Sequence, residues 1–180
     1  MKKALASWSG MRRYLERDML ALRLRGRVQY RCTTYPGMDG DCVFEIWIDG
    51  ALAKRCALET VNSYFLEVGR KKTAAFYGKS EYWNEFWLLL NRICVQDRPA
   101  HSDDEFCEAL SCYRNQKIQK SLSAENPLVR MFAILDRRVG KRTLLQEMDA
   151  LERQPPWLRA FYLLRFSAEG LAPLQNTEIF

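Results

Sequence analysis

The fold is decided by residues 23–57, which read RLRGRVQYRCTTYPGMDGDCVFEIWIDGALAKRCA. From Leu24 to Cys32, apolar or small residues at even positions alternate with arginine or glutamine at odd positions. Because successive side chains of a strand point to opposite faces of a sheet, this period of two predicts a β-strand. Cys42 to Asp49 alternates in the same way, and the intervening residues 36–40 are typical of a turn. The two strands are therefore predicted to form a hairpin.

A third strand and a register follow from the same stretch. Asp49-Gly50 indicates a second tight turn, so residues 51–57 are predicted to return as the third strand of an antiparallel meander. If the first loop is centred on Met38, each strand residue has a definite partner across the hairpin. On the buried face this register pairs Val28 with Ile48, Tyr30 with Ile46 and Cys32 with Phe44; on the other face it pairs Gln29 with Trp47, Arg31 with Glu45 and Arg27 with Asp49.

Helical periodicity surrounds the meander. Apolar residues three and four apart predict an N-terminal amphipathic helix over residues 10–22, with Ser9 as its N-cap. A short helix is predicted over residues 58–67, and the basic run after it, residues 70–72, is predicted to be a solvated loop. The strongly apolar stretch 80–95 is predicted to be the central helix of the core.

The rest of the chain is also predicted to be helical. Capping residues and first-turn prolines mark where each of these helices begins. The predicted helices span residues 103–115, 127–140, 143–152 and 156–170, with start signals at Ser102, Asn126, Thr143 and Pro155. We therefore predict a single α+β domain over residues 1–180, in which an N-terminal helix precedes a three-stranded antiparallel meander (23–57) and a helix-rich C-terminal half (80–170).

Length and composition indicate a globular cytoplasmic protein. A chain of 180 residues suffices for one core, and a hydrophobic content of 48% excludes the disordered class. The apolar residues after Met1 end by Ser7, which is too early for a secretory signal, and the longest apolar run, residues 86–90, is far too short to cross a bilayer. Without such a signal, the six cysteines are expected to be reduced thiols.

The positive charge is concentrated at the N-terminal end. Residues 1–31 hold nine lysines and arginines against two acids, a net charge of +7, whereas the whole chain carries +6. Such an asymmetry favours an acidic partner or a polyanion as the ligand.

An arginine stripe on the outer sheet face is the most specific candidate for binding. Period two would align four guanidinium groups where they could grip phosphates or carboxylates, and Trp47 on the same face could stack a nucleic-acid base. Two other interpretations stay open: the face is solvated and its arginines pair with Glu45 and Asp49, or a helix covers it and packs on Trp47. The candidate partner- or polyanion-binding residues are Arg23, Arg25, Arg27, Arg31, Trp47, Arg70, Lys71 and Lys72.

Other chemistry is poorly supported by the sequence. Residues 140–143 (GKRT) resemble part of a phosphate loop, but Leu135 stands where that motif needs a glycine, so a helix end followed by a Thr143 N-cap is the simpler interpretation. His101 is the single histidine, and it has no evident nucleophile or orienting partner. With no C-x-x-C pair either, we predict no metal site, no cofactor and no catalytic residues.

Several motifs resemble a family of uncharacterised bacterial proteins. They are Trp8-Ser9, Leu15-Glu16, Gly26-Arg27-Val28-x-Tyr30, Gly140-Lys141-Arg142, Trp157, Phe161-Tyr162 and Arg165-x-x-Ala168-Glu169-Gly170. The resemblance covers both ends of the chain. It implies a cytosolic bacterial protein and carries no activity, cofactor or site residue with it.

Three functions are ranked from these observations. The first is a small non-enzymatic cytosolic interaction module that binds a protein partner through a basic sheet face or surface patch. The second is a nucleic-acid-binding domain that uses the arginine stripe, and the third is an enzyme whose site the sequence does not reveal. A homo-oligomer stays open, and a membrane is not expected as a partner.

Overall fold

A computed structural model describes residues 7–34, 42–73, 81, 84, 88 and 98–171, with the backbone alone for residues 65, 66 and 68–73. Residues 8–21, here called the N-terminal arm, precede a three-stranded sheet, and a series of helices follows the sheet, which confirms the predicted α+β class. The elements in chain order are α1 (Trp8–Arg13), a π-helix (Tyr14–Met19), a 3₁₀-helix (Leu22–Leu24), β1 (Val28–Thr34), β2 (Cys42–Ile48), β3 (Ala51–Cys56), α2 (Leu58–Thr73), α3 (Asp103–Arg114), α4 (Ile118–Leu122), α5 (Pro127–Leu135), α6 (Lys141–Met148), a second 3₁₀-helix (Leu151–Arg153) and α7 (Pro156–Ala168).

The sheet is an antiparallel meander in the order β1-β2-β3, and its first hairpin has the predicted register. Tyr30 pairs with Ile46 and both are fully buried, whereas Arg31 pairs with Glu45 on the other face. Asp49 and Gly50 both have positive φ, at 50° and 86°, as a two-residue hairpin turn of the I′ type requires. The alternation of residues 28–48 thus sets which side chains enter the core.

The first strand is shorter than predicted. It begins at Val28 instead of Leu24, because Gly26 adopts a φ of +82°, which is incompatible with an extended strand. The preceding 3₁₀-helix buries Leu24, and the Arg27 amide donates to the Leu24 carbonyl at 3.0 Å. Arg23 and Arg25 therefore lie on a turn outside the sheet, and the prediction of four aligned guanidinium groups is wrong.

The core lies between the inner sheet face and helices α3, α5 and α7. Phe44 of β2 stacks on Phe106 of α3 with ring centroids 4.4 Å apart, and Phe106 meets Phe132 of α5 edge-on at 5.4 Å. Every residue of α5 except Arg130 is buried, so α5 is the central helix among the described residues. The helix predicted over 80–95 lies outside the described residues, apart from three isolated positions that are helical.

Some predicted helix starts are confirmed. The capping box is present, because the Ser102 hydroxyl accepts from the Glu105 amide and the Glu105 carboxylate accepts from the Ser102 amide. Asn126 caps α5 through a 2.9 Å bond from the Leu128 amide, with Pro127 in the first turn. In both helices a side-chain oxygen accepts from a first-turn amide that has no partner within the helix, which is the role predicted for these two residues.

Other helix boundaries are wrong. The N-terminal helix begins at Trp8 after Ser7, so Ser9 is inside it. Helix α2 continues to Thr73, so the basic run 70–72 belongs to a helix instead of a loop. Gly140, and not Thr143, is the N-cap of α6. None of the helices within the described ranges has the length and hydrophobicity of a transmembrane span.

Candidate anion-binding site

Of the stripe arginines that do lie beside the outer sheet face, Arg27 is neutralised within the protein. Arg27 binds Asp49 in a bidentate pair, with Nε to Oδ1 at 2.9 Å and Nη2 to Oδ2 at 2.6 Å. This pair raises the pKa of Arg27 and lowers the pKa of Asp49, since each charge stabilises the other. Arg27 is therefore a poor candidate for gripping an external anion.

Arg31 and Trp47 also contact each other. The guanidinium carbon of Arg31 lies 4.2 Å from the centroid of the Trp47 ring, and the indole Nε1 donates to Glu45 at 2.9 Å. One face of the indole and its only hydrogen-bond donor are thus already engaged. Arg31 thus contacts Trp47 and does not form the predicted ion pair with Glu45, so of the two predicted cross-strand pairs the described residues contain Arg27–Asp49 alone.

The two remaining stripe arginines lie on the turn formed by residues 22–27, here called the basic turn. Arg25 donates from Nη2 to the Arg17 carbonyl at 2.5 Å, which folds its side chain back onto the N-terminal arm. Arg23 donates from Nη1 to the Ala168 carbonyl at 3.1 Å, so it points towards the end of α7. The two side chains diverge, and each lines a separate cavity.

The first cavity has a volume of about 540 Å³ and lies against the N-terminal arm. Arg12, Arg17 and Arg25 line it together with one acid, Glu16. The Glu16 carboxylate binds Arg12 Nε at 3.0 Å and also accepts from the Tyr30 backbone amide at 2.8 Å, where it covers the edge of β1. This cavity is therefore lined by three guanidinium groups and one carboxylate, and the carboxylate is bonded to Arg12.

The second cavity, here called the arginine pocket, has a volume of about 460 Å³. It lies between the basic turn, the loop that follows α5 and the end of α7. It is lined by Ala21, Leu22, Arg23, Arg137, Arg138, Arg165 and Glu169.

Backbone hydrogen bonds join the segments that form the arginine pocket. Leu20 and Asp136 form an antiparallel β-bridge. The Ala21 amide donates to the Leu135 carbonyl at 2.9 Å, and the Arg137 amide donates to the Met19 carbonyl at 2.8 Å. This short pairing brings residues more than one hundred positions apart in the sequence to one wall of the pocket.

Arg165 is the buried member of the pocket, with 3% of its surface exposed. Its Nη2 donates to the Val139 carbonyl at 2.9 Å, and its Nη1 forms an ion pair with Glu169. Its Nε is buried and has no hydrogen-bond partner within the described part of the chain. Burial lowers the pKa of Arg165, because the charged form loses hydration that Glu169 replaces only in part.

Arg138 is held in place from beneath by a buried carboxylate. Asp136 is 1% exposed and accepts at Oδ2 from Arg138 Nε at 2.9 Å and Nη2 at 2.6 Å, while its Oδ1 accepts from the Arg138 amide at 2.7 Å. The Tyr113 hydroxyl donates to the same Oδ2. Pairing with Asp136 raises the pKa of Arg138. Half of the Arg138 side chain remains exposed to solvent.

The pocket carries an excess of positive charge. The exposed Arg137 side chain makes no hydrogen bond or ion pair with any residue that the structure describes. The four guanidinium groups of the arginine pocket face two carboxylates, Glu169 and Asp136, which leaves two uncompensated positive charges. A concave site of this kind attracts anions and can bind carboxylate or phosphate oxygens bidentately.

Sequence reasoning found one of the four arginines of the pocket. The sequence predicts Arg23 as a binding residue, but as part of a sheet face, and it does not indicate Arg137, Arg138 or Arg165. A signal existed in Asp136-Arg137-Arg138, where three charged residues follow directly on the apolar helix α5. The side chains of Arg70, Lys71 and Lys72 lie outside the described residues.

His101 has a partner that the sequence did not reveal. Its Nδ1 lies 2.9 Å from Nζ of Lys54, which also donates to the Pro99 carbonyl and lies 4.0 Å from the centroid of the Trp157 ring. Burial lowers the pKa of Lys54 to about 8 and that of His101 to about 2. Both side chains are almost completely buried, so this cluster packs β3 against the 98–101 loop.

Three thiols lie beside a small apolar cavity of about 200 Å³. Cys32, Cys42 and Cys107 line it among aromatic and aliphatic side chains. Burial raises the pKa of Cys32 and of Cys107 to about 11, so these two thiols are protonated and unreactive at neutral pH. Within the described ranges, no three His, Cys, Asp or Glu side chains are placed to hold a metal ion.

Residues 7–166 match the model of the SF0329 protein family. The chain belongs to the SF0329 protein family. This is an uncharacterised family, as the resemblance implied. The match extends over the sheet, the basic turn and all four arginines of the pocket, while Glu169 lies just beyond it. No curated protein and no solved structure matches this SF0329 chain.

Proposed function

We propose that the protein is a small non-enzymatic interaction module of the bacterial cytoplasm that binds an acidic segment of a partner protein. The binding surface is the basic turn together with the two cavities on either side of it. This keeps the class of function expected from the sequence and moves the surface from the sheet face to the turn.

The observation that carries the proposal is where the unneutralised arginines are. Arg27 is paired with Asp49 and Arg31 is a single cation that lies on Trp47, whereas each cavity gathers several arginines that outnumber the carboxylates beside them. An extended acidic segment that crosses the basic turn would place carboxylates in both cavities. Exposed guanidinium groups would then form charge-assisted hydrogen bonds, which are stronger than neutral ones.

A nucleic acid is the competing polyanion. Its recognition as a single strand depends on aromatic side chains on which bases stack, beside a basic groove. Among the residues that the structure describes, neither cavity lining includes an aromatic side chain, and Trp47 contacts Arg31 on the sheet. The two ligand classes are therefore expected to separate in a direct binding assay.

The test is fluorescence anisotropy with a labelled glutamate-rich peptide and with single-stranded RNA and DNA of mixed sequence. Wild type is compared with Arg25→Gln, Arg137→Gln and a double variant that carries both changes. Arg153→Gln is the matched control, since Arg153 is exposed and lies in neither cavity. We expect salt-sensitive binding of the peptide that each cavity variant weakens about three- to tenfold and the control leaves unchanged.

Two results would overturn the proposal. Absence of peptide binding at low salt would exclude an acidic segment as the ligand. Tighter binding of RNA or DNA, with the same dependence on Arg25 and Arg137, would replace the protein partner with a nucleic acid.

A further inference from the structure

We propose that the arginine pocket binds a phosphate monoester dianion carried on a side chain of the partner protein. This inference rests on the proposed function, because it names the group that the acidic segment would place in the pocket.

The net charge of the arginine pocket matches a phosphate monoester. The pocket has two uncompensated positive charges, contributed by the excess of guanidinium groups over Glu169 and Asp136. A phosphate monoester carries about −1.5 to −2 at neutral pH and offers three strong acceptor oxygens, whereas a carboxylate or a phosphodiester carries a single charge. A monoester therefore matches the pocket better than either alternative does.

The arginine pocket also holds guanidinium donors that are not used within the described residues. The whole Arg137 guanidinium, Nη2 of Arg23 and Nη1 of Arg138 donate to none of the residues described in the structure. These donors belong to three arginines that line one cavity, one from the basic turn and two from the loop that follows α5. Planar guanidinium forks match the oxygens of a phosphate bidentately, so three such forks lining one cavity suit an anion with three acceptor oxygens.

The buried charge of Arg165 is only partly compensated by a carboxylate. Arg165 is buried, its Nε has no partner among the described residues, and its one carboxylate, Glu169, also lies 3.8 Å from Nε of Arg23. Two cations thus share one anion at the floor of the pocket. A buried charge that is incompletely paired destabilises the empty protein, and an anion in the pocket would compensate it.

The side chains of Arg138 and Arg23 are held in place before any ligand binds. Asp136 and Tyr113 fix Arg138 from beneath, and the Ala168 carbonyl fixes Arg23. Little side-chain entropy is then lost at these two arginines when the ligand binds. Leu22 on the same lining is 67% exposed, and it offers an apolar contact to the residues that flank a phosphorylated side chain. That contact favours a phosphate carried on a protein over a free phosphate ion.

The test compares three peptides of one acidic sequence that differ only at a central serine, phosphoserine or glutamate. We expect the phosphoserine peptide to bind at least about tenfold more tightly than the glutamate peptide. Arg137→Gln should remove most of that difference, and the Arg153→Gln control should retain it. Inorganic phosphate should compete with the phosphoserine peptide, and its own affinity should be weaker because it lacks the contact with Leu22.

A pH profile gives an independent readout. The second pKa of a phosphate monoester is about 6, so the advantage of the phosphoserine peptide should decline as the pH falls from about 7.5 to about 5.5. Circular dichroism of each variant checks that it remains folded over this range. Equal affinity for the phosphoserine and glutamate peptides would overturn this inference and leave the proposed function standing. Binding of neither peptide would overturn both.

Discussion

Lys54→Met should change how the stability of the protein depends on pH. Lys54 lies on β3 and is 5% exposed. Its ammonium contacts the Trp157 ring, His101 Nδ1 and the Pro99 carbonyl, with Arg98, Glu105 and Cys56 as the charged or titratable groups nearby. Burial is the main cause that lowers its pKa from 10.5 to about 8.

The sign and size of the effect follow from that shift. Between about pH 8 and pH 10.5 the unfolded chain holds a proton at Lys54 that the folded chain has lost, so the free energy of unfolding rises with pH. A shift of 2.5 pKa units corresponds to about 3 kcal/mol in total, of which about 2 kcal/mol falls between about pH 7 and pH 9.5. Methionine fills a similar volume and does not titrate, so this rise should be absent in the variant.

The assay is urea denaturation of wild type and Lys54→Met at several pH values over this range. The measured quantity is the difference between the two free energies of unfolding, in which the titration of shared groups such as Cys56 largely cancels. Lys120→Met, at an exposed position of α4, is the control and should show no pH-dependent difference. A difference between wild type and Lys54→Met that stays constant from about pH 7 to pH 9.5 would refute the reasoning.

Three further predictions concern stability. Burial lowers the pKa of His101 to about 2, so the folded protein keeps this side chain neutral while the unfolded chain protonates it. The free energy of unfolding should therefore fall by about 2–3 kcal/mol as the pH falls from 7 to about 4.5. Denaturation curves of His101→Phe should show a smaller fall. Tyr113→Phe removes the donor to Asp136 and should lower the free energy of unfolding by about 1–2 kcal/mol; an unchanged denaturation midpoint would contradict this. Gly26→Ala forces a side chain into a φ of +82° and should lower the free energy of unfolding by about 1 kcal/mol, whereas Gly10→Ala, inside α1 and without a positive φ, should not lower it in the same thermal melts.

The sheet could be predicted because its signals are local. Alternation between Val28 and Ile48 and the turn at Asp49-Gly50 involve residues close in sequence, and they determine pairing, register and the buried face. The error at Leu24 has a local cause too. A glycine fits an alternating pattern as a small residue, and the pattern does not show that Gly26 adopts a left-handed conformation.

The position of Lys54 could not be predicted in this way. Continuing the pairing from the Asp49-Gly50 turn without interruption would place Lys54 opposite Glu45, on the outer face. A β-bulge between Ile46 and Trp47 shifts the pairing by one residue, so Lys54 lies opposite Ile46 and faces the core. Because one inserted residue exchanges the two faces of a strand, alternation alone gives the wrong side for every residue beyond the bulge.

The arginine pocket depends on contacts between distant segments. Arg23 meets Ala168 and Glu169 across nearly the whole chain, and Arg137 joins the N-terminal arm only through the bridge between Leu20 and Asp136. Each arginine has an ordinary local context as a turn or helix-end residue. Their convergence is a property of the tertiary structure, which no pattern within a short window of sequence contains.

The bridge between Leu20 and Asp136 makes attachment of the N-terminal arm and integrity of the pocket a single equilibrium. Whenever the arm detaches, Arg23 leaves the other three arginines and the site no longer exists. By linkage, an occupied pocket holds the arm down in proportion to how far the ligand concentration exceeds its dissociation constant. Amide exchange at Ala21 and Arg137, whose backbone bonds close that bridge, would then report ligand occupancy without any label on the ligand.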